Sequence, residues 1–283
     1  MFSDRIRARH RLWWDAPKGL AARLHRARDM YVSAHRDDPD PHWHCCARWQ
    51  LRLSNKLSAR EFAVKHGCRV PRLYWSGRFP DRLPLQSLPE HFVIRPTRGH
   101  SSKGVYLMAG ETELMDGVPL TRAALRRDLR RRFGRVVRAP IMVEEFITDE
   151  RGAYTIPTDY HCHVFGSRIG AIEVSPRRGR GPFGSLRNFY TEAWEPLPEP
   201  MYTSRLPYGG TYDPPACLDE MLHHARVLGA AYGTYVRIDF YASRGGCVFG
   251  EFSPTPAKGD FFSPFADTYF ERIWRETFPE QPV

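Results

Sequence analysis

Apolar and polar residues alternate along 236–242, VRIDFYA, so that Val236, Ile238 and Phe240 fall on one face and Arg237, Asp239 and Tyr241 on the other. A second β-rich run, 247–253, follows after turn-type residues, and its period of two places Cys247, Phe249, Glu251 and Ser253 on a common face. Together they predict a β-hairpin. A three-residue loop, 244–246, sets Asp239 opposite Glu251 and Arg237 opposite Ser253, whereas an even-numbered loop flips one strand's set to the other face. In the first register two carboxylates stand about 5 Å apart across the ladder, an unfavourable pairing unless a cation relieves it. Carboxylate oxygens suit Mg2+, which takes one or two carboxylates together with substrate phosphates. The plain alternative is a surface hairpin with solvated acids.

The same patterning predicts the other elements. The first fifty residues read as amphipathic helix, with Arg and His among Trp13, Trp14, Leu20, Leu24, Met30 and Tyr31, broken at 37–41. His42, His44, Cys45 and Cys46 cluster beside Trp43 but match no zinc spacing, and core filling is the better reading. Along 54–67, Ser54 or Asn55 caps a helix with apolar Leu57, Phe62 and Val64, closed by Gly67. Lys56 lies in its first turn, against the helix dipole. Residues 73–75 run extended, and 92–95 and 105–108 are short strands around PTRGHSSKG. Successive amides in such a Gly- and Ser-rich loop form an anion-binding nest, aided by Arg98 and Lys103.

A basic helix with eight arginines covers 121–138. A Leu/Ala face packed on a sheet is its favoured reading; nucleic acid or another polyanion is the weaker one. Residues 141–147 form a buried strand carrying Glu144 and Glu145. A second hairpin pairs 160–165 with 168–174, and the basic Gly-rich stretch 177–188 then suits a mobile substrate loop. After a Pro- and Tyr-rich connector, 196–215, a helix at 217–232 carries an apolar stripe of Leu218, Leu222, Ala225, Leu228 and Gly229.

Composition narrows the function classes. Lys and Arg number 42 against 32 Asp and Glu, a net charge of +10 that favours anionic partners. No apolar run approaches the roughly 18 residues of a membrane span, and the N-terminus lacks the apolar core of a secretory signal. Six cysteines without a disulfide-type spacing fit a reduced, cytoplasmic protein. There is no internal repeat, and no nucleophile elbow, HExxH, CxxC pair or Walker-type phosphate loop.

In order, then, the chain offers a lysine at a helix start, a strand ending in a cation, a Gly/Ser loop, a strand ending in Glu-Glu, and a hairpin with Arg-x-Asp and Glu-x-Ser. That succession, from about Asn55 to Gly259, resembles the ATP-grasp superfamily. RPTRGHSSKGV and VRIDFY…GEFSPTP are similar to D-alanine–D-alanine ligases, while NKLSAREFAVKHG, LPEHFVIRP and DYHCHVFGSRIG look more like the TupA-like branch of teichuronopeptide biosynthesis. The resemblance implies an α+β, ATP-grasp fold: two α+β lobes clasping ATP, with a short helical N-terminal segment. The corresponding division is 1–54 for that segment, 55–90 for the start of the core, 91–147 for the small lobe with its phosphate loop, and 148–283 for the large catalytic lobe.

Carried over by motif, Lys56 and Arg95 bind ATP phosphates, beneath a loop of Gly99, His100, Ser101, Ser102, Lys103 and Gly104. Glu144, Glu145, Phe146 and Ile147 form the adenine hinge, with an acid reaching the ribose. Asp159 and His161 stand where relatives carry Asp-Tyr-Lys. Asp239, Glu251 and Ser253 hold Mg2+, and Arg237 with Lys56 is catalytic. Arg177, Arg178 and Arg180 are the expected contacts to an acidic substrate. The implied activity is ADP-forming ligation of a carboxylate to an amine through an acylphosphate, on a small molecule, peptide or anionic polymer. The alternatives are a phosphotransferase with a hydroxyl acceptor and a non-catalytic nucleotide-binding protein. Three departures stand out: Arg95 where relatives have Lys, Ser253 where many have Asn, and an N-terminal region too short for a separate substrate domain.

Overall fold

The computed structural model describes residues 19–21, 23–24, 49–99, 102–136, 139–179, 186–203 and 206–279. Most of the expected N-terminal helix, the His42–Cys46 cluster, His100, Ser101 and Arg180 therefore lie outside the described residues. The first sheet is built from β1 (Leu73–Gly77), β2 (His91–Pro96), β3 (Tyr106–Ala109), β4 (Thr112–Glu113), β5 (Val118–Pro119) and β6 (Ile141–Glu145). Its order is β1-β6-β2-β3-β4-β5, every neighbour antiparallel. The second sheet comprises β7 (Asp159–Phe165), β8 (Arg168–Ser175), β9 (Asn188–Tyr190), β10 (Tyr235–Ser243) and β11 (Gly246–Ser253), in the order β11-β10-β7-β8-β9, again antiparallel. Among the described residues these helices pack on them: α1 (Lys56–Lys65), α2 (Arg122–Phe133), α3 (Leu218–Tyr232) and α4 (Pro264–Thr277). Two antiparallel sheets with their helices form an α+β structure, as the resemblance implies.

Strand periodicity divides each sheet into a core face and a working face. In β2, Phe92 and Ile94 pack beneath α2 with Tyr106, Met108, Leu125, Leu129 and Val143, while Val93 and Arg95 face the opposite way. In the second sheet, Cys162, Val164, Val236, Ile238 and Phe240 bury against α3 and against Phe62 and Ala63 of α1. The other face is graded. Phe165 and Tyr235 sit beneath Phe270 and Ile273 of α4. Farther along the same strands it turns polar, with His163, Arg237, His161, Asp239 and Asp159.

Two expectations are corrected by the fold. The basic helix ends at Phe133, because Gly134 adopts φ +73° and breaks it short of 138. Its arginines are largely committed to the protein itself. Arg122 donates to the carbonyls of Leu88 and Pro89 at 3.0 and 2.9 Å, and Arg126 to those of Asp81 and Leu83 at 2.9 and 2.7 Å. Arg130 pairs with Asp81, and Arg132 lies over the Tyr106 ring. This helix straps down the irregular 79–89 segment.

The second correction concerns the β10–β11 hairpin. The register is as expected, Asp239 opposite Glu251 and Arg237 opposite Ser253, but the turn is two residues long, with Ser243 paired to Gly246. An even turn alone would place Asp239 opposite Gly250. A bulge at Gly250 absorbs one residue and restores the pairing. Cys247 and Phe249 consequently lie in the core, and only Glu251 and Ser253 share the working face with Asp239 and Arg237.

Candidate functional site

A cleft of about 940 Å³, counted with its open mouth, separates the working faces of the two sheets. One end is apolar: Val93 of β2, Leu107 of β3, Met115 and Phe146 form a packed plate, with Val105 and Ile156 against it. Met115 reaches the plate because Glu113 folds its turn, its buried carboxylate accepting from the amides of Leu107, Met115 and Asp116 at 3.1, 3.1 and 3.0 Å. The strand-end residues Glu145, Phe146 and Ile147 border the same end.

The other end is charged. The Asn55 side chain caps α1 by accepting from Leu57 N at 3.0 Å, and Lys56 N donates to the Thr97 carbonyl at 2.9 Å. The first turn of α1 is thereby tied to the end of β2, and the buried Lys56 side chain runs into the cleft. Its Nζ is 2.7 Å from Glu251 Oε2. Arg95, also buried, pairs through Nε with Glu144 Oε1 at 2.6 Å, and one terminal nitrogen donates to the Gly250 carbonyl at 3.4 Å. Arg60 holds the second Glu144 oxygen at 3.4 Å. Beyond β2 the chain takes positive φ at Gly99 (+148°), Ser102 (+56°) and Gly104 (+75°). Gly99, Ser102 and Lys103 line the cleft.

Asp239 and Glu251 both line this end. Arg237 grips Asp239 as a fork, Nε to Oδ1 and a terminal nitrogen to Oδ2, both at 2.7 Å, and the same nitrogen donates to Ser253 Oγ at 3.0 Å. Burial lifts the Asp239 carboxyl above the ordinary range, Arg237 and His161 opposing it. Glu251 goes the other way: burial pushes it up, but Lys56 and Arg95 outweigh that and hold it at about 2. Two hard carboxylates face each other here, with cations drawn in around them. That donor set fits a Mg2+ ion whose remaining ligands are phosphate oxygens and water. Among the described residues no three His, Cys, Asp or Glu side chains are grouped to hold a metal without such a ligand.

The structure brings together Lys56, Arg95, Gly99, Ser102, Lys103, Glu144 to Ile147, Asp159, Arg177, Asp239 and Glu251 around one cleft. Other expected residues fall elsewhere. Ser253 is bonded by Arg237 and does not line the cleft, and Arg237 lies beside Asp239 rather than on the wall. The Glu144 carboxylate is taken by two arginines, so Glu145 is the acid better placed on the hinge side; its Oε2 accepts from Arg72 N at 3.0 Å. His161 is buried beneath the wall, Nδ1 2.9 Å from Glu173 Oε2. Arg177 pairs with Asp159 and donates to Ser102 Oγ, while Arg178 is exposed. Sequence reasoning missed Val93, Leu107, Met115, Ile156 and Tyr241. Val93 was within reach, since it shares a strand face with Arg95; Met115 depends on the Glu113 turn and carries no local signal.

Over residues 49–275 the chain matches the sequence family described as TupA-like ATPgrasp. Among curated proteins none matches it. A D-alanine–D-alanine ligase structure from Bacillus anthracis superposes with a TM-score of 0.50 and 14% identity, covering 81% of this chain and 68% of that one. The ATP complex of the Bacillus anthracis ligase gives 0.49 and 13%, with coverages of 81% and 67%. The Helicobacter pylori ligase gives 0.48 and 16%, with coverages of 82% and 61%. The chain thus spans 61–68% of the length of these ligases, and at 14% identity the likeness to the structure with the TM-score of 0.50 is one of fold alone.

Proposed function

Because the chain belongs to the TupA-like ATP-grasp family, we propose that it is an ATP-dependent ligase joining a carboxylate to an amine. The observation that carries this reading is the cleft itself, apolar at one end and, at the other, lined by cations and an opposed carboxylate pair. Val93, Leu107 and Met115 would receive the adenine ring, with the 145–147 backbone reading its edge and Glu145 on the ribose side. Lys56, Arg95, Lys103 and the amides of 99–104 would bind the phosphates. Asp239 and Glu251 would hold Mg2+, which supplies charge neutralisation at the phosphates.

The substrate carboxylate oxygen would bond to the γ-phosphorus as the bond to ADP breaks. The amine nitrogen would then bond to the acyl carbon, phosphate leaving and the amine proton passing to solvent. Lys56 and Arg95 on the cleft wall would stabilise the charge that develops in both steps, Arg237 would act through the Asp239 carboxylate that it grips, and the cations would work by electrostatic stabilisation rather than as nucleophiles. Closure of the cleft around its substrates would keep water from the acylphosphate. Arg177 and its neighbours would favour an acidic substrate. Cys68, Cys162, Cys217 and Cys247 are free thiols, in keeping with a reducing, cytoplasmic setting.

The test is ADP formation from MgATP across pooled carboxylates and amines, with Asp239→Ala plus Glu251→Ala as the blank. ADP production that needs both substrates and disappears in the blank supports the ligase. ADP formation with a hydroxyl compound alone would replace it by a phosphotransferase, and nucleotide binding without turnover in any pool would favour a non-catalytic protein.

A further inference from the structure

Four titratable side chains stand in one row across four strands. The register sets Glu251 beside Asp239, Asp239 beside His161, and His161 beside Glu173. The row thus runs from the cleft wall on β11 into the interior on β8. Its first two members line the cleft; His161 and Glu173 lie beneath it, 5% and 0% exposed. A carboxylate so deeply buried needs donors around it. Glu173 has three: His161 Nδ1 at 2.9 Å, the Tyr202 hydroxyl at 2.8 Å and an Arg187 terminal nitrogen at 3.2 Å. Burial would raise its carboxyl, but His161 and Arg187 hold it well below the ordinary range.

An ionised Glu173 only accepts, so His161 must donate from Nδ1, and the imidazole orientation is fixed. Its Nε2 then points at the gap between Asp239 Oδ2, 3.7 Å away, and Asp159 Oδ2, 3.9 Å away. Buried Nε2 has no hydrogen-bond partner of its own. Arg237 grips Asp239 from one side and the imidazole faces it from the neighbouring strand. Groups that stand behind the ligands of an ion and fix how those ligands are oriented are one means by which proteins tune metal sites.

We propose that Glu173 and His161 are positioning residues for the divalent cation: Glu173 fixes the imidazole, and His161 Nε2 sets where the Asp239 and Asp159 carboxylates stand when ion and nucleotide arrive. The inference rests on the reading above only in that a divalent ion binds with nucleotide at Asp239 and Glu251. A pair that merely fills the interior would matter for folding and not for the ion.

The decisive variant is His161→Asn, whose amide nitrogen can still donate to Glu173 while the atom facing the two aspartates is gone. Glu173→Gln is the second variant, although it leaves Arg187 beside a neutral partner. Binding of Mn2+ with ADP, followed by the electron paramagnetic resonance of the free ion, reads the effect without turnover, and circular dichroism melting reports on folding. The expected result is a folded His161→Asn protein whose Mn2+ affinity in the presence of ADP falls about 10- to 100-fold, with ADP affinity in the absence of metal unchanged. Wild-type Mn2+ affinity in His161→Asn overturns the inference, whatever its melting temperature. Failure of the wild type to bind Mn2+ with ADP overturns the nucleotide-site reading, and this inference with it.

Discussion

Arg23 donates to both oxygens of Glu271, at 3.0 and 2.9 Å, and lies 4.7 Å over the Trp274 ring. Burial works against the Glu271 charge, but hydrogen bonds from Arg23 and Arg275 hold its carboxyl below the ordinary range. A pKa lower in the folded state than in the unfolded chain means stabilisation that is complete above the unfolded value of about 4.3 and lost as pH falls through the folded one. Acid titration followed by tryptophan fluorescence should therefore show a transition that Glu271→Gln flattens, with the variant less stable than wild type at neutral pH. An unchanged acid limb would mean the pair contributes nothing. The cleft uses the same pairing for another end: Lys56 and Arg95 are held by Glu251 and Glu144 in positions that line the cleft. Arginine at 95 has a physical reason, since its planar fork spans from Glu144 on β6 to the Gly250 carbonyl on β11, a reach across both sheets that a single ammonium does not have.

Among the elements, the β10–β11 hairpin depends on Gly250. A Cβ there would stand 2.9 Å from the Asp239 carbonyl and 3.1 Å from the Tyr241 ring, too close to backbone to be absorbed. Gly250→Ala should cost about 1–3 kcal/mol in urea unfolding, as overpacking does elsewhere, and should impair Mn2+–nucleotide binding beyond that cost because Glu251 follows directly. Loss of stability with intact ion binding would show that the bulge can shift without moving Glu251. This hairpin also marks how far the sequence could be read. Alternation identified the strands and the facing acids, and the order of motifs identified Lys56 and Arg95. The bulge was invisible, because a glycine in a strand looks the same whether it absorbs a residue or not, and an assumed odd loop reached the right register by another route. Glu173 was missed for a different reason. Its meaning comes from His161 on the neighbouring strand, Arg187 and Tyr202, contacts that no local spacing encodes.

Among the described residues, several polar links tie the first lobe to the second sheet, Lys56 to Glu251 among them. Arg95 reaches Gly250, Arg60 reaches Glu144, and Arg177 joins Asp159 at the start of β7 to Ser102 in the phosphate loop. Arg95 is buried and lines the cleft, whereas Arg60 lies outside its lining. Arg177 also lines the cleft, its side chain about a third exposed. A link of that kind holds the phosphate loop against the second sheet until an anion competes with Asp159 and Ser102 for the guanidinium. Arg177→Met keeps the bulk of the stem and removes the link. Amide exchange should then quicken around 102–105, where Val105 N donates to the Ser102 carbonyl at 3.2 Å. The melting temperature should stay near that of the wild type, because the cores beneath α2 and α3 are untouched. Added MgATP should restore part of the protection, since phosphates would tie the loop to Lys56 and Arg95 instead. Faster exchange everywhere with a lower melting temperature would make Arg177 a structural residue, and unchanged exchange would show that the lobes are held by the buried links alone.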